Sequence, residues 1–318
     1  MSKILVTGGC GFIGSILVPK LQKIGYEVGV LDSLVYGNLD YYSDRSYDFF
    51  NVDIRDESAV KASLKGYSIV VHLAAFGSVI NSIENPKQNF EVNTFGTLNL
   101  LNASINEGVE KLVFASTGGA LIGNAIPPVN EFSIPRPISP YGASKLACEG
   151  YCCAFANSFQ LPVTSLRFAN VIGPNSWHKK GAVTAFYKSI IFDKPINIYG
   201  DGLATRDFLY VEDLCEGIIS AIQASLKGFN VYHLSSGREV SIGELAKIAC
   251  EVSGVSQQKI KYQKSRIGEV ERNFADSHLA KNDLGFNPTS SLEDSMQLTW
   301  NWFKSYAKKN NQHQFTNL

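Results

Sequence analysis

The sequence lacks three features, each of which would assign it to a particular class of protein. Its 29 basic and 29 acidic side chains give a formal net charge of zero, whereas a nucleic-acid-binding protein usually carries a basic surplus. No apolar run approaches the ~20 residues that span a membrane. The amino terminus, MSKILVTGG, lacks the apolar stretch of a signal peptide. We therefore expect a soluble, cytoplasmic protein that binds neither nucleic acid nor membrane.

Cysteine is also scarce, with six residues in a chain of 318. None of the six forms a C-x-x-C pair. Because disulfide frameworks are typical of short, cysteine-dense secreted chains, we expect reduced thiols in a cytosolic protein. We assign no metal site to this sequence.

Strand-like and helix-like segments alternate through the first half of the chain. The predicted strands are 3–7, 27–31, 68–73, 111–116 and 163–168, and the predicted helices are 12–24, 89–105 and 140–159. Strands that alternate with helices predict βαβ units and a parallel sheet, and right-handed crossovers place helices on both of its faces. The sequence therefore predicts an α/β fold with a doubly wound parallel sheet.

After about Gly173 the pattern changes. It becomes a mixture of short strands and helices, which we place at 196–199, 211–224, 231–234 and 242–251. No Pro-rich or Gly/Ser-rich linker separates the two halves, so a tethered second domain is not expected. We divide the chain into a first part, 1–173, and a smaller α/β lobe, 174–318, that packs against it.

A glycine cluster joins the first predicted strand to the first predicted helix. Gly8, Gly11 and Gly14 form the pattern G-x-x-G-x-x-G in TGGCGFIG. Glycine permits a tight turn and lets backbone N–H groups approach a pyrophosphate, whose charge the positive end of the helix dipole stabilises. The order of strand, turn and helix predicts a phosphate-binding turn.

Two carboxylates extend this predicted nucleotide site. Asp32 ends the second strand, where it would accept hydrogen bonds from the adenosine ribose and repel a 2′-phosphate. That position favours NAD over NADP. Asp53 ends a further apolar segment, and it either accepts from the adenine amino group or caps the helix near Glu57.

Tyr141 and Lys145 form a candidate acid–base pair. Ser139 and the proline after it are typical of a helix start, which places Tyr141 and Lys145 on one helical face. A nearby ammonium favours the phenolate and lowers the pKa of a tyrosine from its ordinary value of about 10. Ser116 and Thr117 follow the preceding strand, and a hydroxyl there could hydrogen-bond the substrate oxygen that Tyr141 deprotonates.

Together these residues resemble the extended short-chain dehydrogenase/reductase family, in its NAD-dependent sugar-nucleotide epimerase/dehydratase branch. The motifs that carry the resemblance are TGGCGFIG, VDIRD, HLAA, EVNTFGT, ASTGG, PYGASK, RFANVIGP and TRDFLYVEDL. The later segment RIGEVERNFADSHLAKNDLGFNP is similar to UDP-glucose 4-epimerases. The resemblance implies a Rossmann-type fold in which 1–173 binds NAD and 174–318 mainly binds a UDP-sugar.

The resemblance also implies a role for each matching position. The positions that would hold NAD are Gly8, Gly11, Phe12, Ile13, Gly14, Asp32, Asp53, Ile54, Leu73, Ala74, Ala75, Asn93, Tyr141 and Lys145. The catalytic group would consist of Tyr141 and Lys145 with Thr117 or Ser116.

The resemblance implies that four further positions bind the sugar nucleotide. Asn170, Arg206 and Arg266 would contact the sugar diphosphate, because a guanidinium fork suits phosphate. Glu269 would hold the nucleotide ribose. The alternative for Arg206 is a surface ion pair with Asp207. The resemblance further implies a homodimer that pairs through two long helices, about 88–107 and 140–159.

The loop after Thr117 selects among the reactions of the branch. Dehydratases place an Asp-Glu pair here and nucleotide-sugar decarboxylases an acidic residue, whereas this chain has Gly118 and Gly119. Water loss is therefore disfavoured. The usual Tyr-Gly that closes the loop is Ile122-Gly123 here, which leaves the choice between Ser116 and Thr117 open.

The favoured reaction is reversible C4 epimerisation of a UDP-hexose through a 4-keto intermediate. Asn273 stands where some glucose/galactose-restricted epimerases have a bulky aromatic, which implies room for an N-acetyl group. The alternatives are an NAD(P)-dependent 4-ketosugar-nucleotide reductase, a sugar-nucleotide dehydratase, and a non-catalytic NAD-sensing protein.

Overall fold

The structure is a computed structural model that describes residues 2–265 and 270–310. Its strands are β1 Lys3–Thr7, β2 Glu27–Asp32, β3 Asp48–Asn51, β4 Ile69–His72, β5 Lys111–Thr117, β6 Val163–Phe168, β7 Asn170–Ile172, β8 Ile196–Tyr199, β9 Thr205–Arg206, β10 Phe208–Tyr210, β11 Phe229–Leu234, β12 Val240–Ser241 and β13 Ile260–Gln263. Its α-helices are α1 Gly14–Lys23, α2 Glu57–Leu64, α3 Val79–Glu84, α4 Pro86–Phe90, α5 Gly96–Asn106, α6 Gly119–Ile122, α7 Pro140–Ser158, α8 Ala182–Ile191, α9 Val211–Gln223, α10 Ile242–Ser253, α11 His278–Leu284 and α12 Leu292–Asn310.

A seven-stranded sheet, in the order β11-β6-β5-β4-β1-β2-β3, organises the fold. Every neighbouring pair in it is parallel. The chain runs outward from β1 to β3 and then crosses to β4 on the other side of β1. Ligands of such sheets bind at the carboxyl ends of the strands where this reversal opens a crevice. The predicted doubly wound α/β fold is confirmed.

Helices cover both faces of the sheet, which explains why its inner strands are apolar at nearly every position. On one face, Ile4 and Val6 of β1 pack with α1 and α9. On the other face, Leu5 of the same strand packs with α2, α5 and α7. The alternation of side chains along a strand divides this continuous apolar run between two cores.

A third core lies in the second half of the chain, among α8, α10, α12 and β8. Tyr187, Trp300 and Phe303 supply much of its volume, with ring centroids 5.2 Å (Tyr187–Trp300) and 5.6 Å (Tyr187–Phe303) apart. However, the main sheet includes β11, and α9 packs on one of its faces, although both elements lie after residue 173. The two halves therefore share the main sheet, and the boundary at 173 remains an interpretation.

The predicted helix 89–105 begins earlier and is not uniform. It starts at Pro86 with α4, widens into a π-helical turn over Glu91–Phe95, and continues as α5. The carbonyl of Asn93 in that turn accepts from Thr97 Oγ1 and from Cys148 Sγ of α7. The widened turn thus brings this helix into contact with α7. Among the described helices, none is long and apolar enough to cross a bilayer.

Candidate active site

The glycine turn lies between β1 and α1, and the surrounding fold requires glycine at two of its three positions. Gly8 has a φ of +68°, and a β-carbon there would lie 2.6 Å from the backbone nitrogen of Ala74. A β-carbon at Gly14 would lie 2.3 Å from the carbonyl oxygen of Gly9. These two glycines allow the turn and the close packing of α1.

Gly11 is different, because the protein itself places a smaller demand on it than on Gly8 or Gly14. A β-carbon there would meet, within 4 Å, only the carbonyl oxygen of Gly8, at 3.2 Å. Its φ lies outside the left-handed region. The middle glycine of dinucleotide-binding turns allows a ligand to approach the backbone closely, and Gly11 has the same place in this turn. The turn therefore fits a pyrophosphate.

Asp32 lies at the end of β2, as expected, and is buried. Its Oδ2 accepts from the backbone nitrogen of Cys10, at 3.0 Å, and its Oδ1 from that of Leu34, at 2.8 Å. Burial raises the pKa of this carboxyl, and the two backbone hydrogen bonds oppose the rise. An ionised carboxylate has about four acceptor positions, so ribose hydroxyls could still bind here.

Asp53 does not cap α2, so that reading of it is wrong. The residue directly before the helix is Asp56, whose carboxylate accepts from the backbone nitrogen of Ala59 at 3.0 Å. The carboxylate of Asp53 instead accepts a hydrogen bond from Arg55, with 2.7 Å between Arg55 Nη2 and Asp53 Oδ2. This side-chain hydrogen bond lowers the pKa of the Asp53 carboxyl.

The remaining positions assigned to NAD divide by exposure. Ile13, Leu73, Ala74 and Ala75 are partly exposed. The buried ones are Phe12, Ile54 and Asn93.

Asn93 is only 2% exposed, and both ends of its amide are used within the protein. Its Oδ1 accepts from the backbone nitrogen of Phe76 at 2.7 Å, and its Nδ2 donates to Ser144 Oγ at 2.9 Å. These bonds tie the loop after β4 to α7. Asn93 is therefore held in place by the protein itself, and its assignment to NAD stays a prediction.

Helix α7 begins as the sequence predicts. Ser139 Oγ accepts from the backbone nitrogen of Gly142 at 3.2 Å, and Pro140 takes the first helical position. A β-carbon at Gly142 would lie 1.9 Å from the carbonyl oxygen of Ala120. Glycine is required there because the start of α7 packs directly on α6, and this contact brings Tyr141 beside the loop after β5.

Lys145 is buried at 3% exposure and held against β5. Its Nζ donates to the carbonyl oxygen of Ala115 at 2.7 Å and lies 4.7 Å from the centroid of the Phe114 ring. Burial lowers the pKa of this ammonium. The carbonyl and the aromatic face both stabilise the cation in return.

The net direction of the pKa of Tyr141 differs from our expectation. Burial raises it to about 12, and a hydrogen bond with the Thr117 side chain acts to lower it. Desolvation disfavours the phenolate more strongly than the Thr117 side chain favours it. The helical pair alone therefore does not bring this tyrosine to a neutral working range.

Ser116 and Thr117 point to opposite sides of β5, as neighbours on a strand do. Ser116 is 3% exposed, and its Oγ lies 2.6 Å from Glu149 Oε1. Thr117 is partly exposed, and its side chain acts to lower the pKa of Tyr141. The structure brings Thr117 to the acid–base pair and places Ser116 in a buried polar network.

Glu149 is the centre of that network, and sequence reasoning missed it. Its carboxylate also accepts hydrogen bonds from two residues of β6. Arg167 Nη2 lies 2.8 Å from Glu149 Oε2, and Ser165 Oγ lies 3.0 Å from Glu149 Oε1. Both members of the ion pair are buried. The only sequence signal for this role was the position of Glu149 one helical turn after Lys145.

The loop after Thr117 closes differently from the usual pattern but remains well packed. Ile122 is fully buried, in a small core with Leu121, Val129 and Ala275. Gly123 has a φ of +73°, and a β-carbon there would lie 2.1 Å from the carbonyl oxygen of Arg136. The isoleucine at this position is thus a core residue.

The substrate-side residues lie on β7 and β9. Asn170 is exposed, and its Nδ2 donates to the carbonyl oxygen of Asp207 at 3.2 Å. Arg206 Nη1 donates to the carbonyl oxygen of Thr205 at 2.7 Å. Arg266 and Glu269 lie outside the described residues.

Asp207, named above as an example of a surface ion-pair partner for Arg206, does not lie at the surface. Asp207 is buried, and within 2–265 and 270–310 its carboxylate accepts from the backbone nitrogens of Ser236, at 2.8 Å, and Gly237, at 2.9 Å. Burial raises the pKa of this carboxyl, and these hydrogen bonds oppose the rise.

One segment links the substrate side to the catalytic loop. Arg272 forms a β-bridge with Thr205, and Ala275 forms one with Val129. Asn273, between them, is buried against Gly119. The strand that carries Arg206 is therefore tied to the loop that follows Thr117.

A second amine lies near the site, on a partly buried lysine that sequence reasoning missed too. Lys179 follows β7, and its Nζ lies 3.9 Å from where a β-carbon of Gly77 would stand. Burial lowers the pKa of Lys179, and its charge in turn disfavours the ammonium of Lys145. The pair of lysines makes this crevice suited to an anionic ligand.

Comparison with known proteins gives a consistent result. A model of the NAD dependent epimerase/dehydratase family matches residues 4–235. The crystal structure of UDP-glucose 4-epimerase with UDP-glucose from Thermotoga maritima matches with a TM-score of 0.91 and 37% identity, covering 96% of this chain and 99% of that one. The Thermus thermophilus UDP-glucose 4-epimerase complex with NAD matches with a TM-score of 0.89 and 36% identity, covering 95% and 99%. The UDP-glucuronate 4-epimerase of Thermodesulfobacterium geofontis is 33% identical over 96% of this chain and 97% of its own length.

Substitutions at Gly11 and Gly14 should separate NAD binding from folding. Gly14→Ala drives a β-carbon into the backbone of Gly9, so it should lower the free energy of unfolding by about 1–3 kcal/mol. Gly11→Ala should lower the free energy of unfolding by less than Gly14→Ala does and raise the dissociation constant of NAD about tenfold or more. Urea unfolding without NAD and calorimetric titration with NAD measure the two effects. Normal NAD binding by Gly11→Ala would contradict this reading of the turn.

Proposed function

Because the chain belongs to the NAD dependent epimerase/dehydratase family, we propose that it catalyses reversible C4 epimerisation of a UDP-hexose or UDP-N-acetylhexosamine. The observation that carries the proposal is the group formed by Thr117, Tyr141 and Lys145 at the carboxyl edge of the sheet. The similarity to two UDP-glucose 4-epimerases over nearly the whole chain supports it. NAD is the cofactor of this family.

One acid–base group suffices for this reaction. Tyr141 takes the proton of the 4-hydroxyl at its phenolic oxygen, while Thr117 holds the same substrate oxygen. Loss of this proton and of hydride from C4 leaves a 4-keto sugar. After the sugar turns over, hydride returns to the opposite face of C4 and Tyr141 returns the proton to the oxygen. No atom is gained or lost, and only the configuration at C4 has changed.

The bound cofactor and the protein divide the work. When bound, NAD supplies the hydride acceptor and, in its oxidised form, a positive charge that favours the Tyr141 phenolate. That charge opposes the burial that raises the pKa of Tyr141 to about 12. Lys145, fixed by the Ala115 carbonyl, adds a second positive charge on the same helical face. Gly8, Gly11, Gly14 and Asp32 would hold the cofactor.

In this proposal the protein binds the substrate through its diphosphate, which leaves the hexose free to turn in the site. We assign this grip to Arg206 and Asn170, with Arg266 and Glu269 assigned only by resemblance. The division into 1–173 for NAD and 174–318 for substrate is part of the same proposal. Nucleotide binding must be firm and sugar binding loose, which suits arginines for the phosphates and a weakly charged hexose site.

A homodimer is also part of the proposal, through the helical segment of α4 and α5 together with α7. Phe90, Phe95 and Tyr151 on these helices are 57%, 44% and 42% exposed. Small exposed residues, Ala143 and Gly150, lie along α7 beside Tyr151. Large apolar side chains exposed beside small ones are typical of a helix-packing interface.

Removing the catalytic hydroxyls one at a time tests the chemical assignment. With a panel of UDP-hexoses and UDP-N-acetylhexosamines as substrates, Tyr141→Phe should lower kcat about 10²–10⁴-fold while NAD stays bound. Thr117→Val should lower kcat about 10–10²-fold through one lost hydrogen bond.

Ser116→Ala is the matched control on the same strand. It should lower the free energy of unfolding by about 1–3 kcal/mol, because it removes a buried partner of Glu149, while kcat stays close to wild type. Product analysis separates epimerisation from reduction, since a 4-ketosugar reductase consumes reduced nicotinamide. Near-normal turnover by Tyr141→Phe would refute the assignment.

Charged substitutions test the dimer. Phe95→Glu and Tyr151→Glu should each raise the dimer dissociation constant about thirtyfold or more, as loss of a central apolar anchor does. Ile24→Glu, at a similarly exposed apolar position after α1, should leave it unchanged. Sedimentation velocity gives the comparison, and equal behaviour of the three variants would place the interface elsewhere.

A further inference from the structure

Two neighbouring side chains occupy the space beside the glycines that follow Thr117. A β-carbon at Gly118 would lie 3.1 Å from both Cε1 and Nδ1 of His233. A β-carbon at Gly119 would lie 2.9 Å from both Cγ and Oδ1 of Asn273. Any side chain at either position therefore meets a neighbour at less than ordinary van der Waals distance.

The backbone itself does not require glycine at these positions. Gly118 has a φ of −74° and a ψ of −61°, which any residue can adopt. Gly119, in the first turn of α6, also lies outside the left-handed region. The requirement for glycine comes from what packs against the loop.

His233 is held in place from several sides. It lies in β11, where it pairs with Arg167 of β6. Its backbone nitrogen donates to Glu131 Oε1 at 2.7 Å. The side chain is 1% exposed, and burial lowers its pKa to about 3. The ring is thus neutral and buried, and it lies directly behind Gly118.

Asn273 is fixed in a comparable way. Its backbone nitrogen donates to the carbonyl oxygen of Thr205 at 3.1 Å. The residues around it, Arg272 and Ala275, form the two bridges to Thr205 and Val129. The segment is therefore anchored on both sides of Asn273, and its buried side chain has little room to withdraw.

We propose that His233 and Asn273 restrict positions 118 and 119 to glycine and so keep acid–base side chains out of the space beside Thr117. They would then be specificity-determining residues for the type of reaction. The inference rests on the proposed function, because a hydride shuttle at C4 needs one acid–base group. Loss of water from the sugar needs further groups, one to remove a carbon-bound proton and one to protonate the departing hydroxyl.

A double-mutant cycle on the NAD-bound enzyme tests the space argument. Gly118→Ala and Gly118→Asn should each lower Tm in the wild-type background, the larger side chain by about 5 °C or more. In a His233→Ala background, the same substitutions should lower Tm by less than half as much. Gly118→Asp should behave like its isostere Gly118→Asn, because space rather than charge is limiting.

A second cycle, Gly119→Ala with Asn273→Ala, should couple in the same way. The crossed pair, Gly118→Asn with Asn273→Ala, is the matched control and should be additive. If Gly118→Asn folds only in the His233→Ala background, the proposal is supported. Three results would each overturn the proposal. They are an equal decrease in Tm in both backgrounds, coupling in the crossed pair as strong as in the matched pairs, and a decrease in Tm confined to Gly118→Asp.

Kinetics supply a readout that a merely structural role would not move. Gly118→Asn should lower kcat for the UDP-sugar about tenfold with little change in KM, because it displaces the adjoining Thr117. His233→Ala should restore most of that kcat, and failure to do so would contradict the proposal. The thermal cycles use no substrate, so they decide the packing claim even if the enzyme proves not to epimerise UDP-sugars.

Discussion

The carboxylate of Glu149 holds the catalytic helix to the sheet. It receives hydrogen bonds from Ser116 of β5 and from Ser165 and Arg167 of β6, all in a buried site. A buried carboxylate is tolerated only when it is paired and fully hydrogen-bonded, so α7 has one stable position against these strands. One helical turn earlier on α7, Lys145 consequently reaches the Ala115 carbonyl.

The bond from Ser116 to Glu149 also determines which way the two hydroxyls at the end of β5 point. Ser116 is turned inward to Glu149, and strand alternation turns Thr117 to the opposite side, where it meets Tyr141. Beyond Thr117, the chain passes between His233 and Asn273, and a β-carbon at either glycine would lie 2.9–3.1 Å from one of these side chains. In the proposed site, one tyrosine and one supporting hydroxyl are therefore followed by two glycines in place of titratable side chains.

The sequence predicts the fold well because the signals for it are local and repeated. The strand–helix alternation and the position of Asp32 at the end of β2 need no knowledge of the rest of the chain, and both are confirmed. Roles that depend on distant partners could not be predicted. Asp53 and Asp56 both precede α2, and only the structure shows that Asp56 is the cap. The direction of the Tyr141 pKa depends on burial, which no helical spacing reveals. His233 is more than a hundred residues from the glycine that it restricts.

The most direct test of the account follows the hydrogen at C4. UDP-hexose labelled with deuterium at C4 is incubated with the purified enzyme in the presence of excess unlabelled reduced and oxidised nicotinamide cofactor, and both epimers are isolated. If hydride leaves and returns within one bound complex, the deuterium stays at C4 of both epimers and the free cofactor remains unlabelled. Deuterium in the free reduced cofactor would indicate a reductase with exchangeable cofactor, and loss of deuterium to water would contradict a hydride shuttle altogether.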